Sequence, residues 1–205
     1  MPSEITHAVY AERFLKLHPE YQRREFFIGT LFPDIRYMAN IPRDTTHSHN
    51  LTLEHVLAEP DSFRAGMLYH SLMDDTWGQL FENYGILPYT SHTLSMYNAL
   101  KSIEDDIRYN ETDIWAEVTG YLADIISPEL NFGVATATIS HWHKIIAAEF
   151  MRPSGSANRW RFMAEEIISS DEEARIQVWI DKLRHDPLWL GRLDAYSDQV
   201  DAING

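Results

Sequence analysis

Apolar residues recur along this chain every three or four positions, and no pair of alternating runs is joined by an Asn-Gly or Asp-Gly turn. That spacing predicts helices, because residues three and four apart share one face of a 3.6-residue turn. A first helix is expected from about Ser3, its N-cap, to His18-Pro19. A second should cover about residues 19–32 and stop before Pro33, which disfavours helix in the residue preceding it. Asn40, Pro42 and Asp44 mark a loop over residues 33–46, followed by a helical segment over 51–58. Pro60-Asp61-Ser62 then gives a start signal for a longer helix through Trp77. After Gly85 and Pro88, Thr90 or Ser91 can cap a helix through about Asn110. Further helices are expected over 112–126, 132–151, 158–169, 171–184 and 188–202. Asp171-Glu172-Glu173 puts negative charge at a helix start, where the macrodipole favours it. The β-branched run over 134–139 fits a short strand as well as a helix, and residues 152–156 form a breaker-rich joint. The expected architecture is an all-α multi-helix bundle, a single domain over residues 1–205, with chemistry concentrated in roughly the first 85 residues.

The helix after Ser62 breaks the apolar rule. Phe63, Gly66, Met67, His70, Asp74 and Trp77 fall within roughly 80° on a helical wheel, so an imidazole and a carboxylate sit in the middle of a core-facing stripe. Four residues apart, their side chains can converge on one point. A buried carboxylate costs several kcal/mol unless a charge or hydrogen-bond donor meets it. The partner could be the imidazole itself, an arginine from another helix, or a divalent cation.

Composition narrows the chemistry. The chain has 205 residues and is 44% hydrophobic, enough for a substantial core. It contains no cysteine, which excludes disulfides and thiolate metal sites and leaves nitrogen and oxygen donors. Acidic residues outnumber basic ones 31 to 17, a formal charge of −14 that disfavours nucleic acid and anionic lipid surfaces as partners. The exceptions to that balance are Arg23-Arg24 and the pair Arg159/Arg161. A small or neutral substrate is favoured. The segment Met1-Pro2-Ser3-Glu4-Ile5-Thr6-His7 has no basic stretch or apolar run, and no uncharged segment is long enough to span a bilayer. A cytoplasmic location is the expectation.

Other donors precede the helix. His7 lies on the first helix beside Ala11, Phe14 and His18, and Asp34 follows Pro33 at the end of a hydrophobic helix. Thr46-His47-Ser48-His49 offers two imidazoles in a polar loop. The order His7, Asp34, His47 or His49, His70, Asp74 resembles the zinc-dependent phospholipase C family, which shares an all-helical fold with the P1 nuclease group. The resemblance rests on Ile5-Thr6-His7-Ala8, on Phe27-Ile28-Gly29-Thr30-Leu31-Phe32-Pro33-Asp34-Ile35, on Thr46-His47, and on the segment from Phe63 to Asp74. It covers roughly the first 80 residues. It implies that Asp34, His47, His70 and Asp74 bind one metal and that Asp74 bridges to a second held by His7. It further implies that Asp34 acts as a base toward bound water, and that two cations about 3.5–4 Å apart serve phosphoester hydrolysis. Zinc is the first expectation, with manganese or iron as alternatives. The chain departs from the family in lacking a mature N-terminal tryptophan ligand and the later His-x3-Glu pair, since His141-Trp142-His143 is followed by Glu149. One or two ions are therefore expected rather than three.

Elsewhere the candidates are weaker. His141 and His143 point about 200° apart on a helix and cannot share one site there. His92 and Glu104 are spare donors. Trp115, Trp142, Trp160, Trp179 and Trp189 read as core aromatics, and no phosphate-binding glycine loop or nucleophile elbow is present. Two rival readings stand beside the phosphoester hydrolase. One is a non-catalytic helical binding or scaffold protein with a structural His–Asp pair or structural metal. The other is an HD-type phosphohydrolase built on the dipeptide His185-Asp186.

Overall fold

The computed structural model describes residues 3–83, 91–151 and 170–205. They form helices α1 (Glu4–Leu17), α2 (Arg23–Leu31), α3 (Arg36–Ala39), α4 (Leu53–Leu57), α5 (Ser62–Asn83), α6 (Ser91–Arg108), α7 (Trp115–Tyr121), α8 (Thr136–Phe150), α9 (Ser170–Leu183) and α10 (Pro187–Asn204). Short 3-10 turns lie at Pro33–Ile35, Arg43–Thr45, Tyr109–Glu111 and Ser127–Phe132. Among the described residues there is no strand, and no helix is long and apolar enough to cross a membrane. The all-helical expectation holds. The turn at Gly85 and Pro88, a cap from Thr90, the joint at 152–156, the helix over 158–169, Arg159/Arg161 and Trp160 lie outside the described residues.

Several boundaries differ from those the sequence predicts, each for a reason of packing. α2 starts at Arg23 instead of near Pro19, because the preceding turn is tied down from elsewhere. The Gln22 N–H donates to Ser62 Oγ at 2.9 Å and the Tyr21 hydroxyl to the Val56 carbonyl at 2.9 Å. The expected loop over 33–46 is instead a chain of short helical turns, halted at Asn40 with φ of 51°. The helix expected over 112–126 contracts to Trp115–Tyr121; just past it, the Leu122 carbonyl accepts from the His143 side chain and the Asp124 carbonyl from Arg24. The β-branched run turns helical at Thr136, its first turn closed by the Thr138 and Ile139 N–H groups on the Ala135 carbonyl.

The element that fixes the donors in space is the crossing of α2 and α5. A Cβ on Gly29 would lie 2.0 Å from the Phe63 carbonyl oxygen, and one on Gly66 would lie 2.2 Å from the Phe26 oxygen. Only glycine allows the two backbones to touch there. Buried apolar residues from α1 through α10 form one contiguous cluster, with Phe14, Phe26, Phe27, Phe32 and Phe63 inaccessible to solvent. Each such side chain contributes about 1.5–3 kcal/mol on burial. That reserve lets the fold tolerate charged groups inside. The whole predicted stripe of α5 is indeed interior, including His70 and Asp74.

Candidate metal centre

Five side chains from four regions of the chain converge beneath that crossing. His7 comes from the first turn of α1, Asp34 from the 3-10 turn after α2, and His47 from the residues after the Arg43–Thr45 turn. His70 and Asp74 stand one turn apart on α5. All five are at most 5% exposed. His49, the alternative to His47, is exposed and faces Asp44 at 3.6 Å, outside the cluster.

Each imidazole is held by its Nδ1 atom. His7 Nδ1 lies 2.9 Å from the Ser3 carbonyl, and His70 Nδ1 lies 2.9 Å from the Thr30 carbonyl. Thr30 sits in the last turn of α2, where carbonyls lose their intrahelical partners, so one is available to the neighbouring helix. His47 Nδ1 meets Thr46 Oγ1 at 2.9 Å, and that hydroxyl in turn donates to the Pro33 carbonyl at 2.9 Å. Carbonyls can only accept, so the Nδ1 atoms of His7 and His70 carry their protons, and a Thr46 hydroxyl spent on Pro33 assigns the same tautomer to His47. The three Nε2 lone pairs are then turned inward. This is how a ligand histidine is oriented by its outer partner.

The imidazole nitrogens stand beyond hydrogen-bond length from the carboxylates they face, while the Nε2 atoms of His47 and His70 lie within it of each other, a spacing that suits a shared cation. His47 Nε2 is 3.6 Å from Asp34 Oδ1, 3.5 Å from Asp74 Oδ2 and 3.2 Å from His70 Nε2; His70 Nε2 is 3.6 Å from Asp74 Oδ2. Four donors bound tetrahedrally to zinc at its usual bond lengths lie about 3.3–3.5 Å apart. The second Asp74 oxygen, Oδ1, faces His7 Nε2 at 3.5 Å, and the His7 and His70 rings stack at 4.0 Å. His7 Nε2, Asp34 Oδ1 and Asp74 Oδ1 are buried without a hydrogen-bond partner. Buried polar atoms normally find one, so the residues present fit a cation. The groupings His7–His70–Asp74 and Asp34–His47–His70 each bring three donor atoms within 4.8 Å of one another.

Electrostatics favour the form a cation needs at four of the five residues, His47 being the exception. Burial would raise the Asp74 carboxyl, but the imidazoles of His70 and His47 outweigh it and hold it well below the usual carboxylate range. Asp34 is likewise lowered against burial, by His47 and His70. Burial, with His70 beside it, pushes His7 down to about 3, and burial also lowers His70. His47 moves upward: burial opposes, and Asp34 and Asp74 prevail. A proton and a cation therefore compete for His47 Nε2. A single proton satisfies at most one edge of the cluster and leaves the remaining buried atoms unpaired.

Around the donors stand residues to which sequence reading assigned no part in the cluster. The Ser3 hydroxyl donates to Asp105, and Thr6 Oγ1 does so at 2.9 Å, fastening the start of α1 to α6. Arg43 Nη2 donates to Asp74 Oδ2 at 3.1 Å, and Arg36 Nε approaches Asp34 Oδ1 at 3.9 Å. Glu4 is buried near the cluster, its carboxyl pushed up to about 8 by burial and by the charge of Asp34. A hydroxyl next to a loop histidine was a usable signal for Thr46. Nothing in the sequence pairs Arg43 with a carboxylate 31 positions away.

Other sequence candidates have different employment. Glu104 accepts from Trp77 Nε1 at 2.7 Å and from the Tyr10 hydroxyl at 3.2 Å, so it is a core acceptor and not a spare ligand. His143 is a core residue bound to Glu129, while His141 is exposed. Trp115 and Trp142 are buried, and Trp179 and Trp189 partly so. Arg23 is taken up by Glu12 and Glu117. His185 is exposed, and Asp186 caps α10 by accepting the Leu188 N–H at 2.9 Å, so neither is among the five clustered residues. The side chain of His92 lies outside the described residues. No protein-family model, curated protein or solved structure matches the chain.

Proposed function

We propose that this chain is a metal-dependent hydrolase of a phosphoester, similar in its donor order to the zinc-dependent phospholipase C family. The observation that carries this reading is the set of inward atoms on Asp34, His47, His70 and Asp74, in which His47 Nε2 lies 3.2–3.6 Å from each of the other three and His70 Nε2 lies 3.6 Å from Asp74, with no proton to join them all. These four residues would hold one divalent ion, zinc first. Asp74, through its other oxygen, and His7 would hold a second. Bound there, such ions supply a water acidic enough to lose a proton near neutral pH and positive charge against phosphoryl oxygens. Asp34, ionised and with one buried oxygen unpaired, would take the proton of the attacking water. The water oxygen forms a new bond to phosphorus as the ester bond breaks, and the departing alkoxide is protonated by solvent. Ser3, Thr30 and Thr46 keep the imidazoles oriented through the cycle.

A second reading, a purely structural metal in a non-catalytic helical protein, is favoured by how completely the donors are buried. Elemental analysis of purified protein, followed by hydrolysis of bis(p-nitrophenyl) phosphate, separates the two. One or two zinc, manganese or iron ions per chain, with turnover abolished in Asp74→Asn while the helical signal persists, is the expected result. Metal without turnover on any phosphoester supports the structural role. Protein that neither contains nor takes up divalent ions overturns both.

A further inference from the structure

The two arginines at the cluster differ from the donors in their exposure. The side chains of Arg43 and Arg36 are 29% and 17% accessible, while those of Asp74 and Asp34 are 1% and 7%. They are the solvent-facing members of the constellation. Arg43 follows Pro42 in the 3-10 turn that delivers His47, whose backbone N–H donates to the Arg43 carbonyl at 2.9 Å. Guanidinium and ligand are thus set by one turn. Arg36 stacks on Tyr37 at 3.8 Å, and its Nε is buried without a hydrogen-bond acceptor. A planar guanidinium braced on an aromatic ring is already organised to receive an oxyanion.

Charge points the same way. The two arginines cancel the two carboxylates, so whatever charge the bound ions bring remains for the ligand to balance. A single divalent ion leaves two positive charges beside these partly exposed arginines, in a protein whose net charge is −14. Elsewhere on the surface an anion is repelled, and here it is drawn in.

Resting on the metal-hydrolase reading, we propose that Arg43, with Arg36 beside it, binds the phosphoryl oxygens of the substrate and selects a small phosphomonoester dianion over a diester. In a diester, one of the oxygens that the guanidiniums would grip carries a second organic group, and half the charge is gone. The preference for a small anionic ligand sharpens the expectation from composition, which left charge open.

The test uses the zinc-loaded 205-residue chain. Zinc per chain is measured first, then binding of inorganic phosphate by calorimetry, then kcat/KM for p-nitrophenyl phosphate and for bis(p-nitrophenyl) phosphate. In Arg43→Met, zinc content should stay at the wild-type value while phosphate binding weakens at least ~10-fold, the scale of one charge-assisted hydrogen bond. The monoester-to-diester ratio of kcat/KM should fall by a similar factor. Arg43→Lys, which keeps the charge and loses the fork, should fall between the two. Unchanged phosphate affinity or an unchanged ratio in a zinc-replete variant overturns the proposal and leaves the metal reading intact. Loss of zinc from both Arg43 variants overturns it too, assigning Arg43 to the support of Asp74. A wild type that takes up no zinc removes the metal reading and this proposal with it.

Discussion

Two buried histidine–carboxylate groupings in this protein look alike in composition and differ in completeness. In one, His143 gives Nδ1 to the Leu122 carbonyl at 3.1 Å, its Nε2 meets Glu129 Oε1 at 2.7 Å, and Glu129 Oε2 accepts the Ile126 N–H at 2.8 Å. Every polar atom of that pair has a partner at hydrogen-bond length. In the other, His7, His47 and His70 are anchored in the same manner through Nδ1, yet their Nε2 atoms stand 3.5–3.6 Å from the carboxylates they face. The first grouping is finished by protein atoms alone and ties α8 to the 3-10 turn before it. The second leaves His7 Nε2, Asp34 Oδ1 and Asp74 Oδ1 buried without a hydrogen-bond partner. What separates a structural pair from a candidate site is therefore unsatisfied valence at fixed geometry, not burial and not residue type.

That contrast makes its own demands. The largest expected effect is on metal binding. His70→Gln should weaken zinc binding by more than about 100-fold, the upper end of what loss of an outer-shell partner costs. His143→Leu should keep its zinc while losing about 3–5 kcal/mol of stability in urea unfolding, because Glu129 is left buried without its counter-group. If His143→Leu loses its metal, or His70→Gln binds it like wild type, the two groupings are not different in kind.

Another buried carboxylate sharpens the satisfied class. Glu104 is pushed up to about 7 from an ordinary 4.5, chiefly by burial, with Arg108 and the Trp77 hydrogen bond acting against it. A group whose folded value is raised takes up its proton more readily in the folded state. Its contribution is complete below about 4.5 and is lost as pH rises to about 7. The whole span corresponds to roughly 3 kcal/mol. Glu104→Gln, permanently neutral, should therefore lose about 2–3 kcal/mol less stability than wild type between pH 5 and pH 8, read from urea unfolding at both values. Equal pH dependence would mean that Glu104 is already charged in the folded protein.

The smallest effect tests the edge of the site. His49 lies two residues from His47 yet is exposed, so His49→Ala should change stability by no more than about 0.5 kcal/mol and leave metal content at the wild-type level. Metal loss in that variant would move the ligand assignment from one loop histidine to the other.

Much of this was legible beforehand, and the failures follow a pattern. The long helices α1, α5, α6, α9 and α10 were readable because each keeps an apolar face over several turns. Short elements were not: the turns between Pro33 and Thr45, and the truncation of α7, depend on contacts with distant residues such as Arg24 and His143. The members of the buried cluster were legible for a different reason. An imidazole and a carboxylate on an otherwise apolar stripe contradict their surroundings, and that contradiction is visible in one dimension. Their outer partners, Ser3, Thr30 and Thr46, act mainly through backbone carbonyls or a common hydroxyl, which carry no distinctive letter.

By itself, the order of residues determined that the chain is helical, that donors to any metal can only be nitrogen and oxygen, and that His70 and Asp74 lie on one interior face. Those facts are local: they follow from helical periodicity and from which side chains exist. Tertiary structure alone decided that His47 and not His49 turns inward, that Glu104 and His143 are already spent, and that the partly exposed Arg36 and Arg43 meet the buried Asp34 and Asp74. Such outcomes hinge on ångström-scale approach between segments far apart in the chain, set here by two glycines that let α2 and α5 touch.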